Sequence, residues 1–139
     1  VHAYNPFKHR HMPEIQEKIK ILKGKDLPIN FVPHLLPLTR GMLVSVFATL
    51  KDDINVNQVL NNSYKNCEFI RLRDKPVDVK SVAGTNFCDL FVAKNGKALF
   101  VSSAIDNLLR GASSQAVVNA NILCGYEEYE GIPKIAYVP

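Results

Sequence analysis

The dipeptide Asn95-Gly96 constrains this chain more than any other feature. It stands between two apolar runs, Phe87–Ala93 and Ala98–Ala104. Asn-Gly readily takes the positive φ angles of a type I′ turn, so the runs are expected to pair as an antiparallel hairpin. A lone hairpin is marginal in water and needs further strands or a covering helix. The rest of the chain must supply them.

Candidates for both lie on either side. Residues 41–50 are β-branched and apolar enough for a buried strand, and 67–73 read as another. Ile29–Val32, between Pro28 and Pro33, is a short extended run. A first helix is marked by Pro13 at its first position, Glu14 and Glu17 near its positive end, Lys18, Lys20 and Lys23 near its negative end, and Gly24 as its stop. Ile15, Ile19 and Leu22 give it an apolar stripe. Asn55 caps a second helix carrying Val56, Val59, Leu60 and Tyr64. Asp106 or Asn107 opens a third, which reaches Leu123 and stops at Gly125. Its Gly111, Ala112, Ala116 and Ala120 form a small-residue face that admits another backbone. Elements in this order do not make a doubly wound parallel sheet. They predict an α+β fold with a mainly antiparallel sheet and helices on one face.

Length and composition agree. The chain has 139 residues, 47% of them apolar and 22% charged, which predicts one folded domain, 1–139, and excludes disorder, collagen and coiled coil. No apolar run approaches the ~18–20 residues that span a bilayer, so no membrane partner is expected. Cys67, Cys88 and Cys124 are odd in number, far apart and without a Cys-x-x-Cys pair. That argues against a disulfide scaffold or zinc ribbon, and for core positions in a reducing compartment.

Charge is more telling in its distribution than in its sum of +4. Residues 1–25 hold six basic and two acidic side chains, and the remainder holds eleven of each. Three of the four histidines, His2, His9 and His11, lie there too. A local anion site fits this better than a nucleic-acid footprint. The start, Val1-His2-Ala3-Tyr4, has no Met and no signal-like stretch, and is expected to be the interior of a longer protein. The chain contains no Gly-x-Gly-x-x-Gly, no phosphate-binding loop, no Gly-x-Ser-x-Gly and no His-Glu-x-x-His. A dinucleotide, if used, is held mostly by other polypeptide.

Three segments can carry chemistry. In Lys8–Ile15, His9, Arg10 and His11 precede the free N–H groups of a helix, which attract an anion. His9 and His11, alternating on an extended stretch, would face one side, and Glu14 could orient one ring. The same residues also suit a solvated basic stretch with ordinary capping. A metal held by His-x-His would need a third ligand such as His34, and Lys8 and Arg10 disfavour a cation, so no metal is expected. In Pro33–Gly41, two prolines stiffen a corner carrying Arg40, which suits a phosphate or carboxylate, or else solvent. In Ser103–Ala116, Asn107 is presented where a strand gives way to a helix. It can pair with an amide such as a nicotinamide carboxamide, or act as a plain cap.

The motifs His9–Ile15, Pro33–Gly41, Phe87–Asp89 and Asp106–Ala116, in that order, resemble N-acetyl-γ-glutamyl-phosphate reductase. The last is shared in part with aspartate-semialdehyde dehydrogenase. The resemblance implies a catalytic and subunit-contact domain like the C-terminal domain of glyceraldehyde-3-phosphate dehydrogenase. Its N-terminal Rossmann partner is absent from this chain. It also implies an arginine-biosynthesis enzyme of the cytoplasm that uses NADP(H) to reduce an acyl phosphate to an aldehyde through a cysteine thioester. His9 matches the acid/base histidine, and His11 and Glu14 match substrate-pocket positions beside Arg10. Asn107 matches the residue facing the nicotinamide, and Arg40 the Arg-Gly turn, where contact with substrate follows from its chemistry. The partners implied are a small acyl phosphate and further copies of the chain. The nucleophilic cysteine matches none of the three present, so the chain alone is expected to fold, self-associate and be inactive. The alternatives are a non-catalytic assembly or regulatory domain, and a relative acting on aspartyl phosphate.

Overall fold

A computed structural model describes residues 1–136, which fall into two compact units, the first Val1–Thr39 and the second from Arg40 onward. The first is built on a short antiparallel pair, β1 (His2–Ala3) with β2 (His34–Leu35). The pairing continues as single backbone bonds: Tyr4 N–H donates to the Pro33 carbonyl at 3.0 Å, and Phe7 N–H to that of Phe31 at 3.1 Å. The extended run expected at Ile29–Val32 is therefore not itself a strand; the ladder forms beyond Pro33.

Helix α1 spans His11–Lys23. It starts two residues earlier than Pro13 suggests, with Arg10 at the cap. Proline is tolerated anywhere in the first turn, where N–H groups lack partners in any case. Gly24 ends the helix at φ 68°, its N–H donating to the Lys20 carbonyl. The expected apolar stripe is displaced. Met12, Gln16 and Ile19 are half-buried, whereas Leu22 is 81% exposed.

The second unit is a four-stranded sheet in the order β3-β6-β5-β4. Its strands are β3 (Met42–Thr49), β4 (Ile70–Leu72), β5 (Cys88–Asn95) and β6 (Ala98–Ile105). β6 pairs antiparallel with both β3 and β5, while β4 runs parallel to β5. The hairpin forms as expected, but Asn95 closes the ladder opposite Ala98. Gly96 alone, at φ 55°, occupies the positive-φ region of the turn. Glycine at the first central position fits a type II′ turn rather than the expected I′.

Helix α2 (Val56–Tyr64) is capped by Asn55, whose Oδ1 accepts from Gln58 N–H at 3.1 Å. It packs on β4 and β5. The third helix is not continuous. After β6 the chain makes a π-helical turn, Leu109–Ser113, before α3 (Ser114–Cys124) and its left-handed stop at Gly125. Ser114 and Val118 are the buried side of α3, and Gly111, Ala112, Ala116 and Ala120 are exposed. Phe69, Val118 and Ile132 form the core with Phe87 against them. Burying side chains of this size contributes about 1.5–3 kcal/mol each.

Two buried carboxylates staple this unit. Asp89 on β5 accepts from Arg71 Nε on β4 at 2.6 Å, with Arg73 Nε 3.6 Å away. Arg71 also donates to the Ser81 carbonyl and lies over the Phe87 ring. Asp106 is the second. By contrast β3, an edge strand of eight residues, leaves Met42, Leu43, Val46 and Phe47 exposed. Among the described residues, no helix is long and apolar enough to cross a membrane.

Candidate active site

His9 and His11 lie together, by a different route from the one the sequence suggested. Neither is in an extended strand. His9 sits in the turn before α1, and His11 is the first helical residue. Their rings meet edge to face, 4.6 Å between centroids. His11 N–H, one of the unpartnered donors of the first turn, donates to His9 Nδ1 at 3.2 Å. The other ring nitrogen, Nε2, lies 3.3 Å from Tyr4 Oη. These contacts assign the tautomer: Nδ1 accepts, and Nε2 carries the hydrogen. Phe31 completes the cluster, its ring 5.4 Å from that of His9.

Tyr4 and Phe31 were not singled out by the sequence. Only the β1–β2 pairing brings residues 4 and 31 to either side of residue 9. Arg10 and Glu14 are exposed, and among the described residues neither side chain makes a hydrogen bond or ion pair. No three His, Cys, Asp or Glu side chains gather as a metal cluster among the described residues. His34 is engaged in the β1–β2 pair opposite Ala3.

In the second unit, Arg40 and Asn107 come together at one corner. Asp106 is fully buried and collects four donors on two oxygens. Leu108 and Leu109 N–H reach Oδ1 at 2.8 and 3.0 Å, and Gly84 N–H and Arg40 Nη1 reach Oδ2 at 2.8 and 3.3 Å. Desolvation, the largest single influence, acts to raise the Asp106 pKa. The N–H groups of Gly84, Leu109 and Leu108 and the Arg40 charge together outweigh it and hold the carboxyl below its ordinary range. Of the two caps the sequence offered, Asp106 is therefore the one that opens the third helix.

Asn107 does something else. Its Oδ1 accepts from Gly41 N–H at 2.6 Å. The residue is otherwise exposed, and its NH₂ group has no hydrogen-bond partner among the described residues. Gly41 itself, at φ 106°, has no room for a side chain: a Cβ there would overlap Val79 Cγ1. Arg40 remains one-third exposed beyond its bond to Asp106.

Of the three cysteines, Cys88 is disfavoured as a nucleophile. Cys88 opens β5, where burial and then the neighbouring Asp89 charge push its thiol up, against a smaller pull from Arg110. Cys67 is half-buried, and Cys124, at the end of α3, is exposed rather than in the core. Two clefts of about 440 and 490 Å³ flank α2. Neither includes any of the histidines, Arg40 or Asn107.

Comparison with known proteins bears on the whole chain. An N-acetyl-gamma-glutamyl-phosphate reductase of Sulfurovum sp. (strain NBC37-1) is 64% identical over 139 residues, all of this chain and 42% of the relative. That of Wolinella succinogenes is 56% identical over 137 residues, 99% of this chain and 41% of its own length. That of Methanococcus vannielii is 43% identical over 135 residues, 93% and 40% respectively. The chain thus spans about two fifths of the curated relatives it matches. Residues 1–107 match the family described as semialdehyde dehydrogenase, dimerisation domain. From His9 to Asn107, the residues discussed above lie within that match, and the chain belongs to the semialdehyde dehydrogenase dimerisation-domain family.

Proposed function

We propose that this chain is the dimerisation and acid/base portion of an N-acetyl-γ-glutamyl-phosphate reductase, which reduces the acyl phosphate to the semialdehyde with release of phosphate. One observation carries the reading: reductases of that name match the chain from end to end. In it, His9 moves the proton of the reacting oxygen at Nε2, the nitrogen not engaged by the helix N–H. His11, Arg10 and Glu14, around the start of α1, bind the anionic substrate. Arg40, partly committed to Asp106, offers its remaining N–H groups to an anion.

The cofactor is NADPH, which when bound supplies the hydride. Asn107 fits it. With one lone pair of Oδ1 taken by Gly41, its NH₂ group is free to donate, which suits the oxygen of a nicotinamide carboxamide. The protein works in the cytoplasm as a homo-oligomer, for which the exposed apolar edge strand β3 supplies surface to cover.

The test is an assay of the full-length protein with N-acetyl-γ-glutamyl phosphate and aspartyl phosphate, each with NADPH and NADH. Turnover of the N-acetylated substrate with NADPH is expected. Preference for aspartyl phosphate would overturn the substrate, and preference for NADH the cofactor. The 139-residue chain alone is expected to give no turnover. Sedimentation of the full-length protein is expected to give a multiple of the protomer mass.

A further inference from the structure

We propose that Tyr4 is a positioning residue for His9, clamping its imidazole in one orientation. This rests on the reading of His9 as the acid/base group. His11 N–H occupies Nδ1, so Nε2 is the nitrogen left for chemistry, and Tyr4 Oη is its partner at 3.3 Å. The Tyr4 ring stands at 81° to the imidazole with centroids 5.3 Å apart, and Phe31 lies against it as well. The imidazole is therefore held at both nitrogens and packed by two aromatic rings.

The backbone between the two residues is made for this closeness. Asn5 and Phe7 lie at φ 43° and 58°, the left-handed region that a phenylalanine rarely adopts. Such backbone persists only where its surroundings over-determine it. Here Lys8 N–H donates to the Asn5 carbonyl, and the N–H groups of Tyr4 and Phe7 are tied to residues 33 and 31. The tight turn brings the phenol back onto a ring five positions later. Without it, an extended chain would carry Tyr4 well over ten ångströms from His9.

Tyr4→Phe keeps the ring and removes only the hydroxyl. In full-length protein labelled with ¹⁵N-histidine, the wild-type His9 signals are expected to report a ring held in one orientation, and those of Tyr4→Phe to broaden by exchange between orientations. Its kcat is expected to fall about five- to tenfold, the worth of one neutral hydrogen bond, with both KM values unchanged. In a His9→Asn background, Tyr4→Phe is expected to change kcat no further. Unchanged His9 line widths in Tyr4→Phe overturn the clamp, and so does an unchanged kcat in a protein whose His9→Asn variant is crippled. A loss of kcat on Tyr4→Phe that persists in the His9→Asn background also overturns it, because Tyr4 would then act independently. If His9→Asn alone leaves kcat intact, it is the acid/base reading that fails, and the His9 line widths still decide the clamp.

Discussion

Residues 1–39 and the sheet unit that follows hold their polar side chains by different means. In the first, no residue is buried, and His9 and His11 are fixed by aromatic contacts, a backbone N–H and a strained turn. In the second, Asp89 and Asp106 are buried almost completely and matched by arginines and N–H groups. In the proposed function His9 exchanges protons with a substrate and needs access, which local contacts leave it. A group that ties strands and loops together has no need of access. It can be desolvated, provided opposite charge and donors compensate it. The contrast also explains why β4, only three residues long, stays in register: Arg71 stands opposite Asp89 and is bonded to it.

This comparison can be broken by substitutions on either side. The largest effect is expected at His9. His9→Asn in the full-length protein should lower kcat by about 100- to 10,000-fold, the range for a lost acid/base group, while its thermal midpoint moves little. A collapse of stability instead would place His9 among the staples.

Asp106→Ala should do the reverse. Stripping four donors of their buried acceptor is expected to destabilise by about 3–5 kcal/mol, read as a shift in the urea midpoint with unchanged m. The pH dependence has a definite sign. Because the folded pKa of Asp106 is held below its ordinary 3.8, the unfolded chain binds its proton first as pH falls. Its contribution is therefore complete above about 3.8 and is lost as pH drops towards the folded value. Asp106→Asn should flatten that acid limb of the stability profile.

Gly41→Ala sharpens the picture at the corner. The new methyl meets Val79 at a φ that suits only glycine, and the expected loss is about 2–3 kcal/mol by thermal or urea unfolding. Gly96→Ala should be milder, about 1–2 kcal/mol, because nothing lies within 4 Å and only the left-handed backbone objects. Equal losses at the two glycines would mean that the Val79 contact contributes nothing.

Much of this arrangement could be read before any coordinates. The Asn-Gly hairpin, the Asn55 cap, the Gly24 and Gly125 stops and the α+β class all follow from rules that act over a few residues, such as turn chemistry, unpartnered helix ends and side-chain periodicity. His9 and His11 stand two apart in any conformation, so their proximity was legible too, though its cause was not. What escaped depends on partners far away in sequence. The sequence offered Asp106 and Asn107 as equivalent caps. Gly84 and Arg40 distinguish them by satisfying the buried carboxylate of the first, and Gly41 takes the amide oxygen of the second. Tyr4 meets His9 because residues 31–35 pair with residues 2–7, and Arg71 finds Asp89 because β4 chose a parallel neighbour. Local chemistry determines which elements can form and where they stop. Desolvation decides which polar groups are paired, since a buried donor or acceptor accepts only a partner that the whole fold brings within reach.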